Sequence, residues 1–279
     1  MTENVKAVGM GQATYETEQY ESHIPSSIQA DTLFTFTTEL KYLIASITGS
    51  ALYPRYCEED IKYLGIEDMD KIFIPMKCFC DINLHRIKCH LDWYGNYGLA
   101  FPKEWGMKMG IQPVQYINPK SKLCEDFSEV FNMALKNASS KNSKMEKSLK
   151  NYLLHELMYY KPYEGIMRNR KTDIYEMKCF TDECEWRFIP KLEGTGFQQI
   201  YYDTSLINAG IINDMSNALS YLKSALLNFK YSDLKYIIIN SMSDFYELTS
   251  AVNKLNISNN EKMELISKII VWEKAEGDF

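Results

Sequence analysis

The chain has 279 residues, 46% of them hydrophobic, and a formal net charge of −6 at pH 7. This length suits one large domain with a real core, and the acidic balance excludes a protein that binds polyanions with its whole surface. There is no apolar run long enough to span a bilayer and no signal-peptide pattern, and the seven cysteines lack the paired spacing of secreted scaffolds. We therefore expect a cytoplasmic protein without membrane contact.

The beginning of the chain predicts a peripheral arm followed by a strand and a helix. Residues 1–30 are polar with little periodicity, so we expect a flexible or peripheral arm. Residues 33–36 predict a short strand. Thr37 or Thr38 can cap the next helix, because a hydroxyl accepts an unpaired N–H of the first turn. Apolar residues at helical spacing continue this helix to Gly49.

A long apolar strand and a loop rich in tyrosine and glycine form the next unit. Residues 51–63 predict a polar loop, and residues 72–82 predict an extended strand whose side chains alternate between two faces. The loop after this strand carries Tyr94 and Tyr97, each followed by a glycine that lets the backbone turn or approach a ligand closely. We therefore expect a ligand to bind at this loop.

The second half of the chain alternates helices and strands. Residues 123–161 predict an inserted helical hairpin, an accessory element away from the wall of the site, whose lysines suit contact with a partner or nucleic acid. A hairpin that only packs on the domain, with a solvated basic face, fits the same residues. Residues 175–190 predict an extended segment, and a strand–helix–strand unit ends the chain. This order predicts one α+β domain over residues 31–279, with short strands around a cleft and helices outside.

One charged row in this extended segment suggests chemistry. Side chains two residues apart share a strand face, so Glu183, Glu185 and Arg187 would lie together. Arg187 would keep Glu185 ionised by attraction, and Glu183 would oppose this. A carboxylate held in this way can stabilise a sugar oxocarbenium ion or activate a nucleophile. A charged solvent face on an edge strand fits the same spacing equally well.

The cysteines and histidines between Cys78 and His90 do not predict a metal site. Cys78 and Cys80 are separated by one residue, which gives poor tetrahedral geometry, and no second pair follows at zinc-ligand spacing. Buried thiols explain these cysteines better.

A set of short motifs occurs in a recognisable order along the chain. They are residues 33–37, 54–55, 75–82, 94–98, 103–106, 113–116, 182–187 and 269–279. In this set the chain resembles the AbiGi family of bacterial abortive-infection proteins, which provide phage resistance, over nearly all of residues 31–279. AbiGi proteins are labelled antitoxins of a two-gene phage-exclusion system. The resemblance therefore implies a protein that binds and restrains a partner toxin.

A more distant resemblance links the chain to ADP-ribosyltransferases, including the DarT type. It implies an ADP-ribosyltransferase-like fold of small mixed sheets around a cleft, NAD as the substrate, and a protein or nucleic acid as the acceptor. Glu183 and Glu185 look like the acidic pair of the late strand in that superfamily, with Glu185 as the catalytic carboxylate. The residues that would contact NAD under this resemblance are Thr35, Thr37, Arg55, Tyr94, Tyr97 and Arg187.

The opening strand departs from the transferase pattern at one position. Thr35 stands where these enzymes carry a histidine, and a hydroxyl lacks the ring nitrogen of that residue. Two functions stay open: an NAD-dependent ADP-ribosyltransferase that halts the infected cell, and a non-catalytic antitoxin. Thr35 favours the antitoxin, and the row of Glu183, Glu185 and Arg187 favours the enzyme. For the enzyme, we expect Thr35 and Glu185 to share one cleft.

Overall fold

A computed structural model describes residues 29–136, 144–169, 172–202 and 209–278. These residues form a mixture of strands and helices, which confirms the α+β class. Residues 1–28 of the predicted arm and Lys141 of the predicted hairpin lie outside the described residues. No helix within the described ranges is both long and apolar enough to cross a membrane.

The strands and helices have these bounds in chain order. The strands are β1 (Thr32–Thr37), β2 (Ala51–Leu52), β3 (Arg55–Asp60), β4 (Lys71–Cys80), β5 (Tyr97–Pro102), β6 (Gln112–Pro113), β7 (Gln115–Ile117), β8 (Tyr160–Pro162), β9 (Glu164–Arg168), β10 (Tyr175–Cys179), β11 (Glu185–Phe188), β12 (Leu227–Asn228), β13 (Tyr236–Ile239) and β14 (Ile269–Val271). The α-helices are α1 (Leu40–Gly49), α2 (Ile87–Tyr94), α3 (Lys103–Lys108), α4 (Lys122–Lys136), α5 (Lys144–Tyr159), α6 (Ala209–Leu219), α7 (Met242–Asn253), α8 (Asn259–Ser267) and α9 (Trp272–Ala275).

One eight-stranded mixed sheet organises the molecule. Its strands run in the order β14, β13, β5, β1, β4, β11 and β6, and β3 joins as a further partner of β4. The pair of β13 and β14 is parallel, and the remaining pairs in this sheet are antiparallel. Three two-stranded sheets accompany it: β9 with β10, β2 with β12, and β7 with β8. The expected small sheets are present as these three, beside one larger sheet that was not predicted.

The strand β4 is the centre of this sheet because its side chains are apolar in both directions. Ile74 and Cys80 point to one face, which we call the hairpin face. The helices α4, α5 and α2 cover this face with apolar side chains that include Phe127, Leu157 and Leu91. Phe79 points to the opposite face, which we call the terminal face and which α1, α7 and α8 cover. Burial on both faces explains the nearly continuous apolar sequence of β4.

Three local predictions are wrong for physical reasons. Residues 51–63 were predicted as a loop, but Arg55–Asp60 pairs along its whole length with β4, which offers an open row of backbone groups. The tyrosine-rich loop contains α2, because Ile87 and Leu91 recur at helical spacing and pack on the sheet. Neither Thr37 nor Thr38 caps α1, because Thr37 remains in β1 and the residue before the helix is Glu39, which makes no side-chain cap.

The glycine after α2 is required by two constraints. Gly95 has φ of 112° and ψ of 164°, a region that essentially only glycine occupies. A Cβ atom at this position would collide with the backbone oxygen of Thr37 and the Cα atom of Thr38. The tight turn therefore sets how closely α2 approaches the end of β1.

We predict that Gly95→Ala lowers the free energy of unfolding by about 3 kcal/mol, through backbone strain and this collision. The matched control is Gly110→Ala, where φ is 72° but nothing lies within 4 Å of the added Cβ atom. Strain alone should then cost about 1 kcal/mol. Urea denaturation measures both variants, and equal losses would contradict the collision with β1.

Candidate functional site

The strand β11 carries two charged side chains into the interior of the hairpin face. Glu185 lies opposite Cys80, and Arg187 lies opposite Cys78, so their side chains share the face of those cysteines. Glu185 is 5% exposed, and Arg187 is completely buried. The predicted row is therefore not a solvent face but the centre of a buried charged cluster.

Arg187 binds three separate segments through its guanidinium group. It donates two hydrogen bonds to Glu185, from Nε to Oε1 at 2.9 Å and from Nη2 to Oε2 at 3.3 Å. Nη2 also forms an ion pair with Glu59 of β3 at 3.0 Å, and Nη1 donates to the carbonyl of Met158 in α5 at 2.7 Å. A planar guanidinium suits this arrangement because its donors point in fixed, divergent directions.

A buried lysine joins the two carboxylates that the sequence placed side by side. Lys161 of β8 lies 2.6 Å from Oε2 of Glu185 and 2.7 Å from Oε2 of Glu183. Its Nζ atom also stands 4.9 Å from the ring centre of Phe180. The mutual repulsion of the two carboxylates is therefore offset by a cation placed between them.

Glu183 occupies a 3₁₀ turn rather than the strand. This turn spans Phe180–Glu183, and Cys184 after it adopts a left-handed conformation with φ of 42°. Because of this kink the strand β11 begins only at Glu185, so the predicted continuous strand through residue 183 is wrong. Glu183 nevertheless reaches the cluster from the turn.

Glu183 is held at its second oxygen by a lysine and a tyrosine. Lys178 of β10 forms an ion pair with Oε1 at 2.7 Å, and the hydroxyl of Tyr94 donates to the same oxygen. Lys178 also donates to the Tyr94 oxygen at 2.7 Å and lies 4.3 Å from the ring centres of Trp93 and Tyr94. The end of α2 and the strand β10 therefore meet at Glu183.

Burial and charge oppose each other at Glu185, Glu183 and Lys161. Burial disfavours ionisation of Glu185, but the charges of Arg187 and Lys161 outweigh it and hold its pKa well below the usual range. Burial likewise opposes ionisation of Glu183, whose pKa is lowered by Lys161 and Lys178 despite repulsion from Glu185. The pKa of Lys161 is raised well above its ordinary value, because its two carboxylate partners outweigh burial.

The pKa values of Lys178 and Tyr94, at the edge of the cluster, shift in opposite directions. Burial lowers the pKa of Lys178, although Glu183 acts in the opposite direction. Burial and the negative charge of Glu183 raise the pKa of Tyr94 well above its ordinary value. The hydroxyl of Tyr94 therefore remains a proton donor.

All four oxygens of the two carboxylates accept hydrogen bonds or ion pairs from protein groups. The partners at Glu183 are Lys161, Lys178 and Tyr94, and those at Glu185 are Lys161 and Arg187. The backbone amide of Glu185 donates to the hydroxyl of Tyr116 at 2.9 Å. In this conformation the cluster is internally satisfied.

The structure separates the predicted NAD contacts into three places. Tyr94 and Arg187 join Glu183 and Glu185 in the cluster. Phe34 lies opposite Cys80, so the next residue along β1, Thr35, points to the terminal face, away from Glu185. The expected shared cleft of Thr35 and Glu185 is therefore wrong.

The other predicted contacts also lie away from the cluster. Tyr97 lies opposite Thr37, on the terminal face, and its hydroxyl donates to Asp244 of α7 at 3.5 Å. Arg55 donates to Asn217 at 3.1 Å and to Asn213 at 2.6 Å, both in α6. Four of the six predicted ligand residues, Thr35, Thr37, Tyr97 and Arg55, thus lie away from the cluster.

The sequence reasoning missed several members of the cluster. They are Glu59, Tyr116, Lys161 and Lys178. Lys161 is the last residue of the predicted hairpin, whose basic face was expected to be solvated or to contact a partner, yet it is 7% exposed. The available signal was the charge balance, because two buried carboxylates and one arginine require further cations.

The helical hairpin is part of the wall of this cluster. Leu153 and Leu157 of α5 pack with Phe127 of α4 on the apolar side of β4. The end of α5 then supplies the Met158 carbonyl and leads directly to Lys161. The prediction of an accessory element away from the site is therefore wrong for this end of the hairpin.

A second buried ion pair lies on the terminal face. Lys103 of α3 is 2.7 Å from Asp81, directly after β4, and stands 5.9 Å from the ring centre of Trp186. Burial raises the pKa of Asp81, and Lys103 opposes this. The cysteines among the described residues are free, and no group of three His, Cys, Asp or Glu side chains there could hold a metal ion.

Comparisons with known proteins give one consistent result. A family model described as "Putative abortive phage resistance protein AbiGi, antitoxin" matches residues 50–240. The chain is also 32% identical over 248 residues to a protein of Lactococcus lactis subsp. cremoris named "Abortive phage resistance protein AbiGi". This match covers 82% of the chain and 100% of the relative. No solved structure matches, so an ADP-ribosyltransferase-like fold remains a prediction.

We predict that Glu185→Gln lowers the free energy of unfolding by about 3–5 kcal/mol, because it leaves Arg187 and Lys161 buried without their shared anion. The matched control is Glu58→Gln, which removes a carboxylate that is half exposed and paired with Lys71. An exposed pair contributes less than about 1 kcal/mol. Urea denaturation measures the free energy of unfolding. Equal values for both variants and the wild type would contradict the buried ion pairs of Glu185.

A buried histidine beside the cluster predicts a pH dependence. His90 is 6% exposed, with Nε2 3.4 Å from the carbonyl oxygen of Glu183 and Nδ1 without a hydrogen-bond partner among the described residues. Burial, assisted by Lys178, lowers its pKa from 6.5 to about 4. The unfolded chain therefore binds a proton that the folded chain does not bind between these values.

The free energy of unfolding should fall as the pH drops from 6.5 towards 4, and His90 should account for about 2–3 kcal/mol of this loss. Burial opposes the ionisation of Glu183 and Glu185, but their cationic partners lower both pKa values from 4.5, so their contribution begins to be lost below about pH 5, and the histidine dominates the slope between pH 6.5 and about 5. His90→Gln should flatten the slope, and the exposed His155→Gln should not. Urea unfolding across the pH range measures this, and an unchanged slope in His90→Gln would refute it.

Proposed function

Because the chain belongs to the AbiGi family of abortive phage resistance proteins, we propose that it acts in anti-phage defence as a non-catalytic antitoxin that restrains a partner toxin. The description of the family as an antitoxin supports this proposal. The partner would be a protein that arrests growth of the cell when it is unopposed.

The observation that carries the non-catalytic part is the satisfaction of the acidic pair. A catalytic carboxylate must contact a substrate hydroxyl or a developing positive charge. Each carboxylate oxygen of Glu183 and Glu185 already accepts from a lysine, an arginine or a tyrosine, and both side chains are at most 5% exposed. Separating them from these partners would leave buried charges uncompensated.

An NAD-dependent ADP-ribosyltransferase is the second candidate. One observation favours it: the fold assembles Glu183, Glu185, Arg187 and Tyr94 within one cluster, as that activity would need for four of its residues. The placement of Thr35 and Tyr97 on the opposite face of the sheet weighs against it.

We expect expression of this chain alone to leave growth of a bacterial host unchanged. Co-expression with the product of a neighbouring gene that arrests growth should restore growth, because the antitoxin restrains the toxin. Colony counts under separate inducible promoters measure both effects. A chain that carries the exposed substitution Glu58→Gln should restore growth as well as the wild type does. Growth arrest by this chain alone would contradict the antitoxin proposal.

A thermal shift assay with NAD distinguishes the two candidates. A ligand at ten times its Kd stabilises a folded protein by about 1.4 kcal/mol, which corresponds to roughly 3–5 °C at this chain length. The antitoxin proposal expects no shift at millimolar NAD. A shift that Arg187→Lys abolishes, while Arg55→Lys leaves it unchanged, would favour the transferase and place NAD at the cluster.

A further inference from the structure

A two-stranded ribbon forms the outer boundary of the charged cluster. The strands β9 and β10 pair antiparallel from Arg168 opposite Tyr175 to Glu164 opposite Cys179. Neither strand pairs with another strand in the part of the chain that the structure describes. An isolated two-stranded ribbon is marginally stable in water, so its position depends on contacts with the body of the protein.

The inner side of the ribbon supplies these contacts. Lys178 binds Glu183 and Tyr94, each at 2.7 Å, and Met167 places its sulfur 3.7 Å from the Tyr94 hydroxyl. Opposite Lys178 lies Gly165, where an added Cβ atom would stand 2.9 Å from the ring of Phe180. A glycine here lets the ribbon lie directly on the 3₁₀ turn that carries Glu183.

The outer side of the ribbon is apolar but exposed. Ile166 and Met177 form a directly opposed pair and are 68% and 65% exposed, and Tyr175 beside them is 69% exposed. These side chains contribute little burial, so hydrophobic packing on this side does not hold the ribbon in place. The ion pair of Lys178 with Glu183 is therefore a principal anchor.

We propose that the ribbon β9–β10 is a strap that closes over the charged cluster and lifts when Lys178 separates from Glu183 and Tyr94. In the lifted state the Oε1 atom of Glu183 and the hydroxyl of Tyr94 face solvent, while Lys161 and Arg187 still hold the other carboxylate oxygens. The strap controls access to the cluster, which goes beyond the proposed antitoxin role and applies equally to the transferase candidate.

The balance of forces at Lys178 is suited to such a movement. Burial lowers the pKa of Lys178 even though Glu183 attracts its charge. The ammonium group of Lys178 therefore regains hydration when it moves into water. Glu183 loses one of its two cations when the strap lifts but keeps Lys161 at 2.7 Å. The lifted state therefore avoids a buried carboxylate without a cation.

Two variants of the full chain test the strap by different physical routes. Lys178→Met removes the ion pair but keeps a long side chain, and its control is Lys147→Met on the exposed surface of α5. Gly165→Ala keeps all charges but adds a methyl group against Phe180, and its control is Gly277→Ala, where nothing lies within 4 Å.

Hydrogen exchange and carboxyl labelling give the readouts. In both variants the amides of β9 and β10 should exchange roughly tenfold faster, while those of β13 remain unchanged. Carbodiimide-driven labelling of Glu183 should rise by a similar factor, and both control variants should match the wild type.

Three results would overturn the strap. The first is exchange in the ribbon that stays within twofold of the wild type in both variants. The second is faster exchange in β13 to the same extent as in the ribbon, which would mean global destabilisation. The third is a faster ribbon without increased labelling of Glu183, which would mean that the ribbon frays without uncovering the cluster.

Discussion

The ion pair between Glu185 and Arg187 is the constraint on which the charged interior depends. Both side chains leave water almost completely, and each loses several kcal/mol of hydration unless it is compensated. The two groups satisfy each other in part, with Nε of Arg187 2.9 Å from Glu185. The remaining donors and acceptors must come from elsewhere in the chain, and this need shapes the packing around β11.

The compensating groups tie together segments that are distant in sequence. Glu59 comes from β3, the Met158 carbonyl and Lys161 from the end of the helical hairpin, and Lys178 from the ribbon. Each segment also contributes apolar or backbone contacts, and the cluster joins the segments through ion pairs and hydrogen bonds. Two kinds of contact therefore hold the hairpin in place: its apolar side chains pack on β4, and the polar groups at its end bind the cluster.

The central sheet divides the candidate site from the other polar features of the fold. Its hairpin face holds the cluster, and its terminal face holds Thr35, Tyr97 and the ion pair of Asp81 with Lys103. The sheet lies between these two sets of groups and keeps them apart. Thr35 and Tyr97 therefore do not converge with Glu185 on one site.

Sequence patterns predicted those elements whose own side chains carry the signal. The apolar spacing of α1, the alternation along β4 and the strand–helix–strand ending were all recovered, because hydrophobic periodicity reflects burial of one side of each element. The shared face of Glu185 and Arg187 was also predicted correctly, since it follows from the two-residue period of a strand. The strand β3 was missed because its polar residues become a strand only through pairing with β4.

The sequence by itself therefore determined the α+β class, the long apolar strand over residues 72–82, the family and the neighbouring carboxylates of the candidate site. Only the tertiary structure decided that these carboxylates are buried and paired with Lys161 and Lys178, and that Thr35 faces away from them. The physical reason is that strand order and register are set by long-range backbone pairing and by compensation of buried charge. Neither property is encoded in the spacing of residues along one segment.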